Sequence, residues 1–305
     1  MKAVVVHEYG VPDVLKFEEY PDPVAGTGEV LVRVAATSIN PFDIMRRSGV
    51  AKEVAPIKFP GVVGVDLSGI IIAVGSEVEG FSVGDQVFGM ADQTYAELCA
   101  VKAAGLAKIP EELDVIGAAA LPLVTTTGNQ LVTLGAGVKA GQTVLITGAV
   151  GNVGRSAVFK AKALGAVVIV GVLKSQLAAA SSLGANQVVA TDDEGAMAAL
   201  PPLDAVADTV GGKTAAALLP KLKKGGVFAS VLGVPQNAND YPSIKAVAVY
   251  TQVDTETLLY MTRAVRDGKL VIPIGRKMPL KSAAEGHAVV AKGGAGKIVL
   301  VVDEG

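Results

Sequence analysis

One cysteine and two histidines in 305 residues leave little from which to build a metal centre. A catalytic zinc takes about three His, Cys or carboxylate ligands plus an open position, and a structural zinc about four, mostly cysteines. Cys99 stands alone, and His7 and His287 lie at opposite ends of the chain, so no ligand cluster assembles by spacing. A single cysteine also excludes an internal disulfide and the disulfide-dense scaffolds of small secreted domains. Charge is sparse, at 18% of residues with a net of −2 and no block of one sign, so nucleic-acid binding has no electrostatic footprint. A serine-nucleophile elbow, Gly-x-Ser-x-Gly, is missing. The most apolar run, Ala166–Leu173, is too short to cross a bilayer, and the N-terminus lacks a signal-peptide pattern. These absences leave a soluble cytoplasmic protein as the expectation.

Hydrophobic residues make up half the chain, ample for sizeable cores, and the length suits two domains. The first part is rich in Gly, Val and Pro. Short β-like runs recur at Ala3–His7, Glu29–Ala35, Val62–Val74, Gln86–Phe88 and Tyr95–Val101, separated by turn signals such as Asp22-Pro23 and Val83-Gly-Asp85. That spacing predicts an irregular, barrel-like β domain. From about residue 123 the period changes. Val144–Thr147, Val167–Val172, Gln187–Ala190, Ala205–Asp208 and Gly226–Leu232 read as strands. Arg155–Leu164, Gln176–Leu183, Glu194–Leu200 and Lys213–Leu222 read as helices between them. This alternation predicts a parallel sheet covered on both faces, with right-handed crossovers. Ala246–Gln252 is expected as a sixth strand, with the potential to pair across a subunit boundary. After Gly268 the chain reads β-like again, closing with Gly296–Asp303, which predicts a return to the first domain. The fold class is therefore α/β: a Rossmann-type, doubly wound parallel sheet over 123–265, inserted in an irregular β-rich domain formed by 1–122 and 266–305.

Thr143-Val-Leu-Ile-Thr147 runs into Gly148-Ala-Val-Gly151-Asn-Val-Gly154 and then a helical pattern. A buried strand, a tight glycine turn and a helix start form a cradle for a dinucleotide pyrophosphate. In register, Ala149–Gly154 is the Gly-x-Gly-x-x-Gly fingerprint with its first glycine replaced by alanine. Gly148, Ala149, Val150, Gly151, Asn152, Val153 and Gly154 are the expected phosphate-binding segment. An acid ~20 residues further on would bond the ribose 2′-hydroxyl and select NAD. No Asp or Glu occurs from Arg155 through Thr191, and Lys174 and Ser175 stand at the expected place. A cation and a hydroxyl suit a 2′-phosphate, which points to NADP(H). Tyr241-Pro-Ser-Ile-Lys245 has the Tyr-x-x-x-Lys spacing of short-chain reductases, but Pro242 breaks the helix that pair requires.

Several stretches together resemble the medium-chain dehydrogenase/reductase superfamily, in its zinc-free quinone (enone) oxidoreductase branch. They are Ser38-Ile-Asn-Pro-Phe-Asp43 with Arg47-Ser-Gly49, Phe59-Pro-Gly61, Gly64-Val-Asp66-Leu-Ser-Gly69, Val83-Gly-Asp-Gln-Val87, Tyr95-Ala-Glu97, Asp204–Gly212 and Gly296-Lys-Ile-Val-Leu300. Where zinc enzymes of the family carry Gly-His-Glu, the His position is Val65, and Asn40 lies at or near the zinc cysteine. The resemblance implies a GroES-like substrate domain, hydride transfer from NADPH to a quinone or α,β-unsaturated carbonyl without a metal, and a homodimer. It places Asn40 beside the nicotinamide, Thr127 in contact with the nicotinamide end of the cofactor, Asp208 at the start of the loop after the fourth strand, and Leu232, Gly233 and Val234 along the nicotinamide pocket. Two departures stand out: Met45 where relatives often have Tyr, and Thr191 where many place an adenine-packing Tyr.

Three residues are candidates for chemistry. Asn40 would stabilise the enolate or phenolate that forms, or simply make the turn before Pro41. Asp43 would act at the site, or cap a helix and fix the Asn40 loop. Tyr95 would donate into the pocket, or pack a strand. A zinc-free reductase of another carbonyl class, and a non-catalytic NADPH-binding redox sensor, are the alternatives to a quinone or enone reductase.

Overall fold

The computed structural model describes residues 1–302; Asp303, the last residue of the expected closing run, lies outside them. In chain order the elements are β1 (Lys2–Val6), β2 (Lys16–Glu19), β3 (Glu29–Ile39), α1 (Pro41–Ser48), β4 (Gly61–Val62), β5 (Asp66–Val74), β6 (Gln86–Met90), β7 (Leu98–Lys102), β8 (Leu106–Lys108), α2 (Val115–Ala118) and α3 (Pro122–Gln130). There follow β9 (Thr143–Thr147), α4 (Asn152–Ala163), β10 (Val167–Val172), α5 (Leu177–Ser181), β11 (Gln187–Ala190), α6 (Glu194–Ala198), β12 (Leu203–Asp208), α7 (Gly212–Leu218), β13 (Leu222–Ser230), β14 (Lys245–Ala248), α8 (Thr255–Arg266), β15 (Ile274–Pro279), α9 (Ala283–Lys292) and β16 (Lys297–Val301).

The chain divides into two compact units. One comprises Met1–Leu123, Val253–Thr262 and the residues from Ile272 on; the other comprises Val124–Gln252 and Arg263–Val271. In the second unit a six-stranded sheet has the order β11-β10-β9-β12-β13-β14, every neighbouring pair parallel. This is the doubly wound order, with its switch point between β9 and β12. Side-chain alternation sorts the core. Val144, Ile146, Val168, Val170, Ala205 and Ala207 pack on one face, and Leu145, Ile169, Val206 and Phe228 on the other. Strands buried on both faces explain the near-continuous apolar runs of the sequence.

The first unit is β-rich. A sheet β15-β16-β3-β5-β6-β8, with β7 also on β3, accompanies a small sheet β2-β1-β4. Its long strand β3 is antiparallel to both β5 and β16, with Ser38 opposite Asp66 and Val299. That register brings the beginnings of β5 and β16 to the end of β3.

The structure departs from the expected elements in places. The sixth strand is Lys245–Ala248 rather than Ala246–Gln252, because pairing with β13 ends at Ser230. The tail after Gly268 is not wholly β: it contains α9, whose Ala283, Gly286 and His287 are buried. The helical run Val115–Gly135 has the length and apolar composition to span a membrane, but 78% of its 18-residue apolar stretch is buried inside the fold, as in a core helix.

Candidate functional site

The phosphate cradle lies in the second unit at the C-terminal end of β9. Gly148 has φ +59° and its carbonyl accepts the Gly151 N–H at 2.9 Å, closing the turn. Gly151 is the extended N-cap of α4 and brings no side chain to cap it, so the first helical N–H groups face outward for an anion. A Cβ on Gly154 would sit 2.2 Å from the Gly148 oxygen and 2.7 Å from the Ala149 Cα. Only glycine lets the helix lie this close to the turn. Ala149 is buried, and the Val150 carbonyl accepts from Arg155 Nε at 2.9 Å. The Asn152 carbonyl accepts from Ser156 Oγ, and Val153 belongs to the first turn of α4.

Asp208 holds the neighbouring loop. Its Oδ1 accepts from Thr147 Oγ1 at 2.7 Å and from the Val210 and Gly211 N–H groups, and its Oδ2 accepts from Ser230 Oγ at 2.6 Å. Both oxygens are thus committed internally, tying the ends of β9, β12 and β13 together beside the cradle. Leu232, Gly233 and Val234 follow β13 as an exposed turn, with Gly233 at φ +95°. Thr127 is buried on α3, its hydroxyl 2.6 Å from that of Thr251.

At the end of β10 the fold adds what chain order hid. Lys174 and Ser175 stand there as expected. However, parallel pairing of β10 with β11 delivers the two acids just beyond Thr191 to the same place. The Lys174 N–H donates to Asp192 Oδ1 at 2.8 Å, and its Nζ lies 2.7 Å from Asp193 Oδ2. The Lys174 ammonium, exposed, is held above its ordinary pKa by Asp193. Thr191 turns back, donating both its N–H and its hydroxyl to the Val172 carbonyl.

In the first unit, Asn40, Asp43 and Tyr95 converge in a buried polar cluster. Pro41, preset at φ near −65°, starts α1 at N1, and Gly49 at φ +82° ends it. Asn40 is the N-cap, and Asp43 Oδ2 reaches back to accept its backbone N–H at 2.8 Å. The Asn40 amide itself turns inward. Its Nδ2 donates to Asp66 Oδ2 at 2.8 Å and its Oδ1 accepts from Lys297 Nζ. Lys297 Nζ also lies 3.3 Å from Asp66 Oδ2, which accepts from Ser38 Oγ at 2.5 Å. Asp66 Oδ1 accepts the Leu123 N–H. Asn40, Asp66 and Lys297 are 1%, 0% and 2% exposed. Tyr95 donates to Asp43 Oδ2 and lies 3.2 Å from His287 Nε2.

Burial sets the electrostatics of this cluster. It pushes the Asp43 carboxyl up to about 7, opposed by the Asn40 N–H and reinforced by Asp66. It drives the Tyr95 phenol well above its ordinary range, helped by Asp43. His287 is pushed down to about 3, first by burial and then by the Arg47 charge, so its imidazole is neutral. Asp66, Lys297 and His287 were not among the residues the sequence singled out for a role. A trace existed for one of them: Lys297 opens an otherwise apolar strand, Lys-Ile-Val-Leu-Val, an odd place for a cation unless it is paired. A groove of about 600 Å³ in the same unit is lined by His7, Tyr20, Arg46, Phe59, Asp92 and others, and includes none of Asn40, Asp43 and Tyr95.

Comparison with known proteins places these features. Residues 26–134 match the alcohol dehydrogenase GroES-like domain, and residues 183–300 match the family described as zinc-binding dehydrogenase. The chain is 30% identical to a chloroplast envelope quinone oxidoreductase homolog of Arabidopsis thaliana, over 94% of this chain and 93% of that one. A quinone oxidoreductase structure from Coxiella burnetii superposes with a TM-score of 0.90 at 32% identity, covering 99% of each chain. A mycobacterial structure complexed with NADPH superposes with a TM-score of 0.86 at 28% identity, covering 99% of this chain and all of that one.

Zinc, which the second family description implies, does not fit these residues. No group of three or more His, Cys, Asp or Glu side chains able to hold a metal exists among the described residues. Cys99 is buried with its thiol pushed up to about 12, so it is not the thiolate a metal needs. His7 pairs with Glu18 at the surface, and His287, buried elsewhere, meets Tyr95 through Nε2. A nicotinamide cofactor does fit, on the glycine cradle of α4, and the substrate is a small molecule. The chain is an oxidoreductase of the medium-chain dehydrogenase/reductase superfamily, in its quinone oxidoreductase branch.

Proposed function

We propose that this protein is a metal-independent reductase that uses NADPH to reduce a quinone or an α,β-unsaturated carbonyl, as a cytoplasmic homodimer. The observation that carries the reading is the uncapped start of α4 over the turn at 148–154. Glycine backbone and free helical N–H groups there suit a pyrophosphate, and no group of His, Cys, Asp or Glu able to hold a metal occurs among the described residues. Bound nicotinamide supplies the hydride.

The chain's own residues bind and orient. Asn152, Val153 and Gly154 hold the pyrophosphate with backbone donors, and Gly151, its own N–H spent on closing the turn, lets the backbone approach it. Asp208 keeps the adjoining loop in shape, and Thr127, Leu232, Gly233 and Val234 flank the nicotinamide end. Lys174 and Ser175 take the 2′-phosphate. Lys174 then exchanges Asp193 for a phosphate, and Thr191 lies near the adenine. Reduction of the acceptor places negative charge on its oxygen, which the Asn40 amide stabilises. Asp43 and Tyr95 hold the loop that carries Asn40.

The edge strand β14 suits pairing with a second copy, with Tyr250 exposed beside it. A single buried cysteine suits a reducing compartment.

The test is NADPH oxidation followed at 340 nm with quinone and enone panels, before and after chelation of metal ions. Turnover of a quinone or enone that survives chelation is the expected result. Tight NADPH binding with no turnover of either panel would overturn the reading in favour of a redox sensor. Sedimentation should give a dimer.

A further inference from the structure

The Asn40 amide is the only side chain of the candidate site whose two ends meet opposite charges. Its Oδ1 faces the Lys297 ammonium and its Nδ2 faces the Asp66 carboxylate. Turning the amide over would set NH2 against ammonium and oxygen against carboxylate, two repulsive contacts in a buried setting. The orientation is thus dictated by the pair, not by Asn40 itself. The second Nδ2 hydrogen is only loosely used, toward the Ser38 carbonyl at 3.5 Å, the outer limit for a hydrogen bond. The amide thus has an N–H to offer a ligand, while the second lone pair of Oδ1, beside the Lys297 ammonium, is a poor acceptor for a further donor. A hydrogen bond from Lys297 to Oδ1 also draws electron density from the amide and strengthens that donor.

We propose that Lys297, acting with Asp66, is the positioning residue of this site, locking Asn40 so that it presents an N–H to the acceptor's oxygen. This rests on the reductase reading given above and deepens it. A site set as a donor favours a carbonyl or quinone oxygen, which only accepts, over a substrate that arrives as an O–H donor. Lys297 reaches no reacting atom itself; its effect passes through Asn40.

Two readouts test the proposal, one of them independent of turnover. Full-length protein labelled with ¹⁵N-asparagine reports the Asn40 side-chain amide, assigned by its loss in Asn40→Ala. In Lys297→Met that signal should shift and exchange with solvent at least about tenfold faster. With a quinone that the wild type reduces, Lys297→Met should lower kcat about 10- to 100-fold while NADPH affinity changes less than about twofold. Asn40→Ala should cost a similar factor, and the double variant little more than either alone. Should Lys297→Met fail to fold, Lys297→Gln keeps a donor N–H, drops the charge and takes the same readouts. An unmoved Asn40 amide, or losses that multiply in the double variant, would overturn the proposal. A wild-type protein that reduces no quinone or enone would sink the reductase reading, while the amide signal still decides whether Lys297 holds Asn40.

Discussion

The glycine turn at 148–154 and the polar cluster around Asn40 are built by opposite means. The turn is contiguous in sequence and works through backbone: what matters is the absence of side chains at Gly148, Gly151 and Gly154. The cluster is assembled from Ser38, Asn40, Asp43, Asp66, Tyr95, His287 and Lys297, with Asn40 and Lys297 bonded across 257 positions, and works through side chains in a buried setting. A backbone site fails by steric intrusion, at one position and abruptly. A side-chain network fails by losing a partner, which leaves a buried charge or dipole unsatisfied and makes the loss depend on pH.

The sharpest way to break this contrast is Gly154→Val. A branched side chain must enter where a Cβ already lies 2.2 Å from the Gly148 oxygen, against backbone that cannot yield. NADPH affinity by fluorescence titration should fall by about 100-fold or more, or the domain should not fold. An intermediate effect is expected for Asp208→Ala, which strands the Thr147 and Ser230 hydroxyls and the Val210 and Gly211 N–H groups. About 1–3 kcal/mol per group left unsatisfied predicts a clear fall in Tm together with weaker cofactor binding. Asp208 sharpens the comparison because it is a side-chain hub inside the backbone site.

Lys174→Glu addresses the cofactor with a smaller effect. NADPH affinity should drop roughly tenfold and NADH affinity little, since only the former carries the 2′-phosphate. Equal losses for both would refute the NADP assignment. The converse, Asp193→Asn, frees Lys174 from its present partner and should tighten NADPH a few-fold in the same titration.

The smallest net effect is expected in the share of pH-dependent stability that the cluster contributes, where two opposing trends largely cancel. Asp43 is raised from 3.8 to about 7. Between those values the folded chain keeps a proton that the unfolded chain has released. Its contribution is therefore full below pH 3.8 and is lost as pH rises through 7. His287 is lowered from 6.5 to about 3. Its contribution is full above 6.5 and is lost as pH falls toward 3. The two trends oppose each other between about pH 4 and 6.5. Melting curves of Asp43→Asn should lose the decline toward pH 7, and those of His287→Gln the decline on the acid side. Parallel curves for wild type and both variants would show that neither group titrates as the burial requires.

Legibility followed the same division. Alternating apolar runs announced the parallel sheet because strands buried on both faces admit little else, and the glycine turn was readable because backbone geometry is a local property. Asp43 and Tyr95 were visible as candidates, but not their shared bond at Oδ2. The acid-free stretch from Arg155 through Thr191 pointed to a 2′-phosphate site. Asp192 and Asp193 begin just beyond it, and only the pairing of β10 with β11 sets them against Lys174. Helix α9 escaped because its small and apolar residues carry weak periodicity after a β-like segment.

By itself, the order of amino acids determined the strand–turn–helix that receives a nucleotide and the scarcity of thiol and imidazole side chains, since both depend on residue type and near-neighbour spacing. Tertiary structure alone decided that Lys297 and Asp66 meet Asn40. Antiparallel pairing of β3 with β5 and β16 brings the three together, and the register of strands so far apart in the chain is settled by the packing of the whole sheet.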